Sequence, residues 1–101
     1  MPKILEMGRY VIYFWSNEND EPLHIHIGIK RPHANDAKMW VLRNGDTVLV
    51  HNKNDIPKKD LKKTQEVIKD NVFLIITEWK NRFGRIDFHN KFEVIEKDKL
   101  K

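Results

Sequence analysis

Leu23-His24-Ile25-His26-Ile27-Gly28-Ile29 alternates without a break. Successive side chains of an extended chain point to opposite faces. Leu23, Ile25, Ile27 and Ile29 therefore share one face, and His24, His26 and Gly28 share the other. The stretch predicts a β-strand with its apolar face on the core and both imidazoles pointing away from it.

The flanks extend the sheet. Tyr10-Val11-Ile12-Tyr13-Phe14-Trp15 is aromatic and β-branched, and it ends at the polar run Ser16-Asn17-Glu18-Asn19-Asp20. It reads as a buried strand. Downstream, Ala37–Leu42 and Thr47–His51 flank Asn44-Gly45. Asn-Gly between such runs predicts a hairpin with a type I′ turn, in which both central residues need positive φ. Arg43 and Asp46 are expected to face each other beside it.

Beyond Asn52 the period changes. Leu61, Thr64, Ile68, Val72, Ile75, Trp79 and Phe83 recur every three or four residues, which is a helical stripe. Asp55 is the expected N-cap, with Pro57 in the first turn and Gly84 as the stop. One unbroken helix from Lys58 to Phe83 would run about 39 Å at ~1.5 Å per residue. A domain of this size is only about 35 Å across, from a radius of gyration near ~13 Å. The helix must therefore kink or split, and Asp70-Asn71 is the expected break. Val67, Phe73 and Leu74 lie off the stripe and need a second covering surface. The fold class is α+β: a small antiparallel sheet of four or five strands packed by one long kinked helix or two consecutive helices. Residues 1–84 form the domain. Residues 85–101 form a charged extension, in which Ile86, Phe88, Phe92, Val94 and Ile95 can make one more short element.

Composition narrows the function classes. The chain has 101 residues, 40% hydrophobic and 10% aromatic, enough for one core. It has no cysteine, which excludes disulfides and thiolate metal sites. No run approaches the roughly 20 apolar residues of a membrane helix, and no apolar signal region precedes Glu6. A cytoplasmic protein with no membrane partner is expected. Residues 1–52 carry six Lys/Arg and six Asp/Glu, whereas residues 53–101 carry thirteen and nine, so the second half holds the whole net charge of +4. A basic half suits nucleic acid or an acidic protein, and equally a solvated helix face.

Several of these residues form a signature. Phe14-x-Ser16-Asn17-Glu18-x-x-Glu21-Pro22-x-His24-Ile25-His26-Ile27, then Ala37-Lys38-x-Trp40, then Glu78-Trp79-x-x-x-Phe83-Gly84 resembles a family of small bacterial proteins catalogued as a domain of unknown function. The resemblance covers roughly Pro2 to Gly84. Family members more often show Ser or Thr where this chain has Pro57. The resemblance implies a co-encoded small protein as partner, in pairs of suspected toxin–antitoxin type. It brings no catalytic residue with it.

The residues themselves offer three chemistries. His24 and His26, two apart on one strand, stand about 7 Å apart between Cα atoms. With Glu21 and a further ligand from His51, His33 or Glu18 they suit a borderline metal. With Lys38 or Arg43 stabilising a phosphorane, the same pair suits a metal-independent ribonuclease. Alternatively the rings are hydrogen-bonded structural groups, with Glu21 accepting an imidazole N–H. Ser16, Glu18, Glu21 and Lys38 are expected beside the histidines as a functional patch. Lys58, Lys62, Lys69 and Lys80 project to one flank of the helical stripe, close to Phe73, as a candidate surface for RNA, DNA or an acidic partner helix. Trp15, Trp40 and Trp79 are expected in the core. The leading reading is a non-enzymatic interaction protein of a two-protein module, with self-association as a homodimer through the helical segment expected, and with His24, His26 and Lys38 as the catalytic set of the ribonuclease alternative. No metal and no cofactor is assigned.

Overall fold

The computed structural model describes residues 3–16 and 21–89. Five strands come first: β1 (Lys3–Met7), β2 (Tyr10–Tyr13), β3 (His24–Ile29), β4 (Ala37–Val41) and β5 (Thr47–His51). Two helices follow, α1 (Lys58–Asp70) and α2 (Val72–Phe83). The sheet is antiparallel, with the strands in sequence order β1-β2-β3-β4-β5. This is the α+β architecture that the sequence periods call for.

Ile12 faces Ile27, Ile27 faces Ala37, and Ile25 faces Met39 across the central strands. These residues are fully buried and join Leu61, Ile68, Ile75 and Trp79 from the helices in one core. The predicted helical stripe is thus the buried face, and Val72 and Phe83 pack at its margin. Apolar burial of this kind gains ~25 cal/mol per Å², which makes the sheet–helix layer the main source of stability. The Tyr10 hydroxyl adds a polar link by donating to Asp60 in the first turn of α1 at 2.5 Å.

The helix breaks where the sequence indicates. The Asn71 side-chain amide donates to the Val67 carbonyl at 2.8 Å, competing for an oxygen of the helical ladder. Helical bonding resumes with the Ile75 N–H donating to the Asn71 carbonyl. α1 packs against β5 and α2 against β1, so the two helices cover opposite margins of the sheet. α2 ends at Gly84 in the left-handed conformation.

Four expectations are corrected. β1 was not visible in the sequence; it pairs with β2 through Gly8-Arg9, with Gly8 at φ +58°. The β4–β5 turn is not type I′, because Asn44 does not have positive φ and only Gly45 does. The Gly45 N–H donates to the Leu42 carbonyl and the Leu42 N–H to the Asp46 carbonyl, the pattern of a three-residue loop with glycine at its left-handed position. Arg43 and Asp46 consequently do not meet. Arg43 lies over the Phe88 ring at 4.5 Å, while Asp46 pairs with Lys69 at 2.9 Å. Finally, Asp55 is not the N-cap: it sits at φ +53°, and α1 starts after Pro57 without a side-chain cap. Asn52 instead closes the preceding loop, accepting the Ile56 N–H and donating to the Ile56 carbonyl, both at 2.9 Å.

Candidate functional site

The opposite face of the sheet carries the histidines. Tyr13 of β2 faces His26, His26 faces Lys38 of β4, and His24 faces Trp40. The expected orientation is right, but the expectation that this face leaves the protein interior is not. His24 is 0% exposed and His26 only 8%. Aromatic rings enclose them. The His26 ring stacks on Tyr13 at 5.3 Å, and His24 meets His26 edge-on at 5.2 Å, Trp40 at 5.8 Å and Trp79 at 5.2 Å. Trp79 is core, as expected, whereas Trp15 and Trp40 belong to this second face and are half-buried.

The residues after α2 help to close it. The Leu23 N–H donates to the Asp87 carbonyl at 2.7 Å. The His89 ring stacks flat on Trp40 at 5.1 Å. Ile86 and Phe88 pack against the core. Phe92, Val94 and Ile95 lie outside the described residues.

Polar groups are fixed within this aromatic frame. The Pro22 carbonyl accepts from His24 Nδ1–H at 2.9 Å, which fixes the orientation of the ring. Lys38 Nζ donates to Glu21 and stands 4.7 Å over the Trp40 ring. His51 lies opposite Lys38 on β5. Burial, followed by the positive charges of Lys53, His26 and Lys38, lowers its pKa from the ordinary imidazole value. At the other end of the face, Asp36 is 3% exposed. It accepts from the Tyr13 hydroxyl at 2.6 Å, the His33 N–H at 2.8 Å and the Asn54 amide at 3.3 Å. Gly28 admits this carboxylate, because a Cβ there would stand 2.6 Å from Asp36 Oδ2.

Of the predicted patch, the structure brings together His24, His26, Lys38 and Glu21. Ser16 is exposed in the turn after β2, and Glu18 lies outside the described residues. Among the described residues no three His, Asp or Glu side chains are close enough to hold one metal ion. Asp36 is an addition, and His51, named from the sequence only as one possible metal ligand, is placed opposite Lys38 by a register that depends on a bulge between β4 and β5 that no local pattern signals. The lysine ridge is divided. Lys58, Lys62 and Lys69 are exposed on α1, but Lys80 is on α2, which covers the other margin of the sheet. Lys69 is held by Asp46. Together with Lys62, Gln65 and Glu66 it lines a shallow cleft against the Gly45–Thr47 turn.

A family model described as a domain of unknown function (DUF4160) matches residues 10–80. The chain belongs to this family. The DUF4160 span contains the whole histidine face from Tyr13 to His51, α1 and most of α2, and it leaves out β1 and residues 85–89. Neither the curated proteins nor the solved structures gave a match to the chain. No described helix is long and apolar enough to cross a membrane.

Proposed function

We propose that this DUF4160 domain is an interaction protein, one component of a two-protein module of toxin–antitoxin type that binds its co-encoded partner. The observation that carries this reading is at the start of α2. Phe73 is 82% exposed and its neighbour Leu74 40%, whereas Leu61, Thr64, Ile68, Ile75 and Trp79 of the helical stripe are buried. Covering a Phe or Leu side chain gains roughly 1.5–3 kcal/mol, so a partner surface has an anchor here. Exposed Lys58 and Lys62 on α1 add a separate positive surface for nucleic acid or an acidic segment. A second copy of the chain is the other occupant of the Phe73 patch, since two-fold pairs are the commonest assemblies.

The test is capture of the co-encoded protein by purified domain. Wild type should retain it, and Phe73→Glu combined with Leu74→Glu should not. Undiminished capture by the folded double variant would refute the reading.

A second reading, a metal-independent ribonuclease using His24 and His26, draws support from the pairing of His26 with Lys38. The enclosure of His24 weighs against a direct role for that ring. Growth arrest on expression of the chain alone, relieved by His26→Ala, would favour it.

A further inference from the structure

Consecutive strands of the sheet are antiparallel neighbours, so every second connection lies at the same end of it. The β1–β2 turn (8–9), the β3–β4 loop (30–36) and the loop from β5 into α1 (52–57) share one end. They are tied together there. The Lys30 N–H donates to the Arg9 carbonyl at 2.6 Å, and the Asn54 amide donates to the Ile27 carbonyl and accepts the Ala37 N–H. These segments and the first residues of α1 carry Arg9, Lys30, Arg31, Lys53, Lys58 and Lys59, all exposed. Four strand intervals of ~4.8 Å make this end about 19 Å wide.

Little at this end neutralises them. Asp36 is buried and taken by Tyr13, His33 and Asn54. Asp60 accepts from Tyr10 and pairs with Arg9 at 3.7 Å, which leaves Asp55 as the exposed carboxylate of the three loops. Among the described residues, no ion pair or hydrogen bond engages the side chains of Lys30, Arg31, Lys53, Lys58 and Lys59. At the opposite end the charges are matched: Arg43 lies over Phe88, Asp46 pairs with Lys69 and Arg85 with Asp87. Lys30 adds an independent sign. It holds φ +68°, a left-handed conformation where Gly, Asn or Asp is the ordinary choice, and Gly8, Gly45 and Gly84 fill the other such turns. A lysine kept at an unfavourable backbone position points to use of its side chain.

We propose that this end of the sheet docks on the phosphate backbone of a double-stranded nucleic acid, with Lys30, Arg31, Lys53, Lys58 and Lys59 as the contacts. A duplex carries one charge per ~1.7 Å of axis, so about 19 Å presents roughly eleven phosphates to five free cations. A protein partner is the poorer match. Its interface would need an apolar anchor, and the exposed large hydrophobic residues Leu49, Val50, Phe73 and Leu74 all lie outside these loops. A single strand is also a poorer match, because these segments expose no Phe, Tyr or Trp ring on which bases could stack. Contacts to phosphate alone carry no sequence information, so binding is independent of base sequence. The proposal deepens the nucleic-acid part of the proposed function and does not rest on partner docking at Phe73 and Leu74.

The experiment is a fluorescence-anisotropy titration of a labelled mixed-sequence DNA duplex of about 20 base pairs with the full chain, repeated across a salt series. Five phosphate contacts should give a slope of log K against log salt near about −4.5. Lys30→Gly combined with Arg31→Gln should weaken binding at least about tenfold at low salt and reduce the slope by about two. Glycine suits φ +68°, so Lys30→Gly alone should melt at or near the wild-type temperature, and its loss of binding cannot be ascribed to unfolding. Lys80→Gln removes the same charge beside Trp79, whose ring meets Phe14 and His24 at the opposite end of the sheet, and should bind within about twofold of wild type. Phe73→Glu with Leu74→Glu should retain most of the duplex binding, so failure of partner capture and failure of this proposal are distinguishable. Absence of binding to wild type, or equal losses in Lys80→Gln and in Lys30→Gly with Arg31→Gln, would overturn the proposal. So would tighter binding to poly-glutamate or to vesicles of phosphatidylcholine and phosphatidylglycerol than to the duplex. Tighter binding to the separated single strands would overturn its duplex part.

Discussion

Gly28→Ala is the smallest change that probes how tightly the histidine face is built. The added Cβ would stand 2.6 Å from Asp36 Oδ2 and 2.7 Å from the Arg31 carbonyl oxygen. The carbonyl belongs to the backbone and cannot swing aside like a side chain. Gly28 does not have positive φ, so the substitution introduces a steric conflict without backbone strain. Overpacking of a filled interior costs about 1–3 kcal/mol. Pushing Asp36 away also lengthens its bonds from Tyr13, His33 and Asn54, and a hydrogen bond to a charged group contributes about 1.5–3 kcal/mol. With only part of that lost, the expected destabilisation is about 2–4 kcal/mol, a large fraction of the ~5–15 kcal/mol that holds a domain together. At ~4–8 °C per kcal/mol, the melting temperature should fall by about 8–32 °C. Urea unfolding followed by tryptophan fluorescence measures the change directly. Gly8→Ala is the control, because nothing lies within 4 Å of its Cβ and only the positive φ opposes it; its cost should stay near ~1–2 kcal/mol. A Gly28→Ala loss below about 1 kcal/mol would show that the wall of Asp36 and Arg31 yields freely, and the account of this face would fail.

Other outcomes follow from the same geometry. Trp79→Ala removes the ring shared by Phe14, His24 and Phe83 and should cost about 3–5 kcal/mol in the same urea assay. Phe73→Glu, at an exposed position, should move stability by no more than about 0.5 kcal/mol, while light scattering should show any dimer of the 12.2 kDa chain revert to monomer. His51 has a lowered pKa in the fold, so between that value and the ordinary 6.5 the unfolded chain binds more protons. Stability should therefore decline as the pH falls below 6.5 and level off once the folded ring is protonated; His51→Gln should flatten this part of a pH series of unfolding curves.

The periods of the sequence carried most of the architecture, because period two in residues 23–29 and the helical stripe after residue 58 reflect one-sided burial. They failed where burial is two-sided. His24 and His26 look like outward-facing residues in a local window, and it is rings brought from other elements that enclose them, Trp40 and Trp79 against His24 and Tyr13 against His26. β1 escaped notice because Lys3-Ile4-Leu5-Glu6-Met7 is not strictly alternating and its pairing with β2 contains an irregularity. The turn type was missed because Asn44 uses its side chain, accepting the Asp46 N–H at 3.0 Å, to stabilise a loop in which it keeps negative φ. The histidine–lysine half of the candidate site was readable from strand alternation. His51 was not, since its alignment with Lys38 depends on register across a bulge.

The strand order has a consequence for synthesis on the ribosome. Every strand pairs with its neighbour in sequence, so the sheet can assemble hairpin by hairpin as it emerges. Its lid comes last. Between the end of β5 at His51 and the end of α2 at Phe83, translation at ~5–20 residues per second takes roughly 2–6 s. During that interval Ile12, Ile25, Ile27 and Met39 lack the helices that cover them in the finished domain. The nascent chain passes through a stage in which a formed sheet presents a bare apolar side, an opening for chaperone capture or for association with other nascent chains before either helix has arrived.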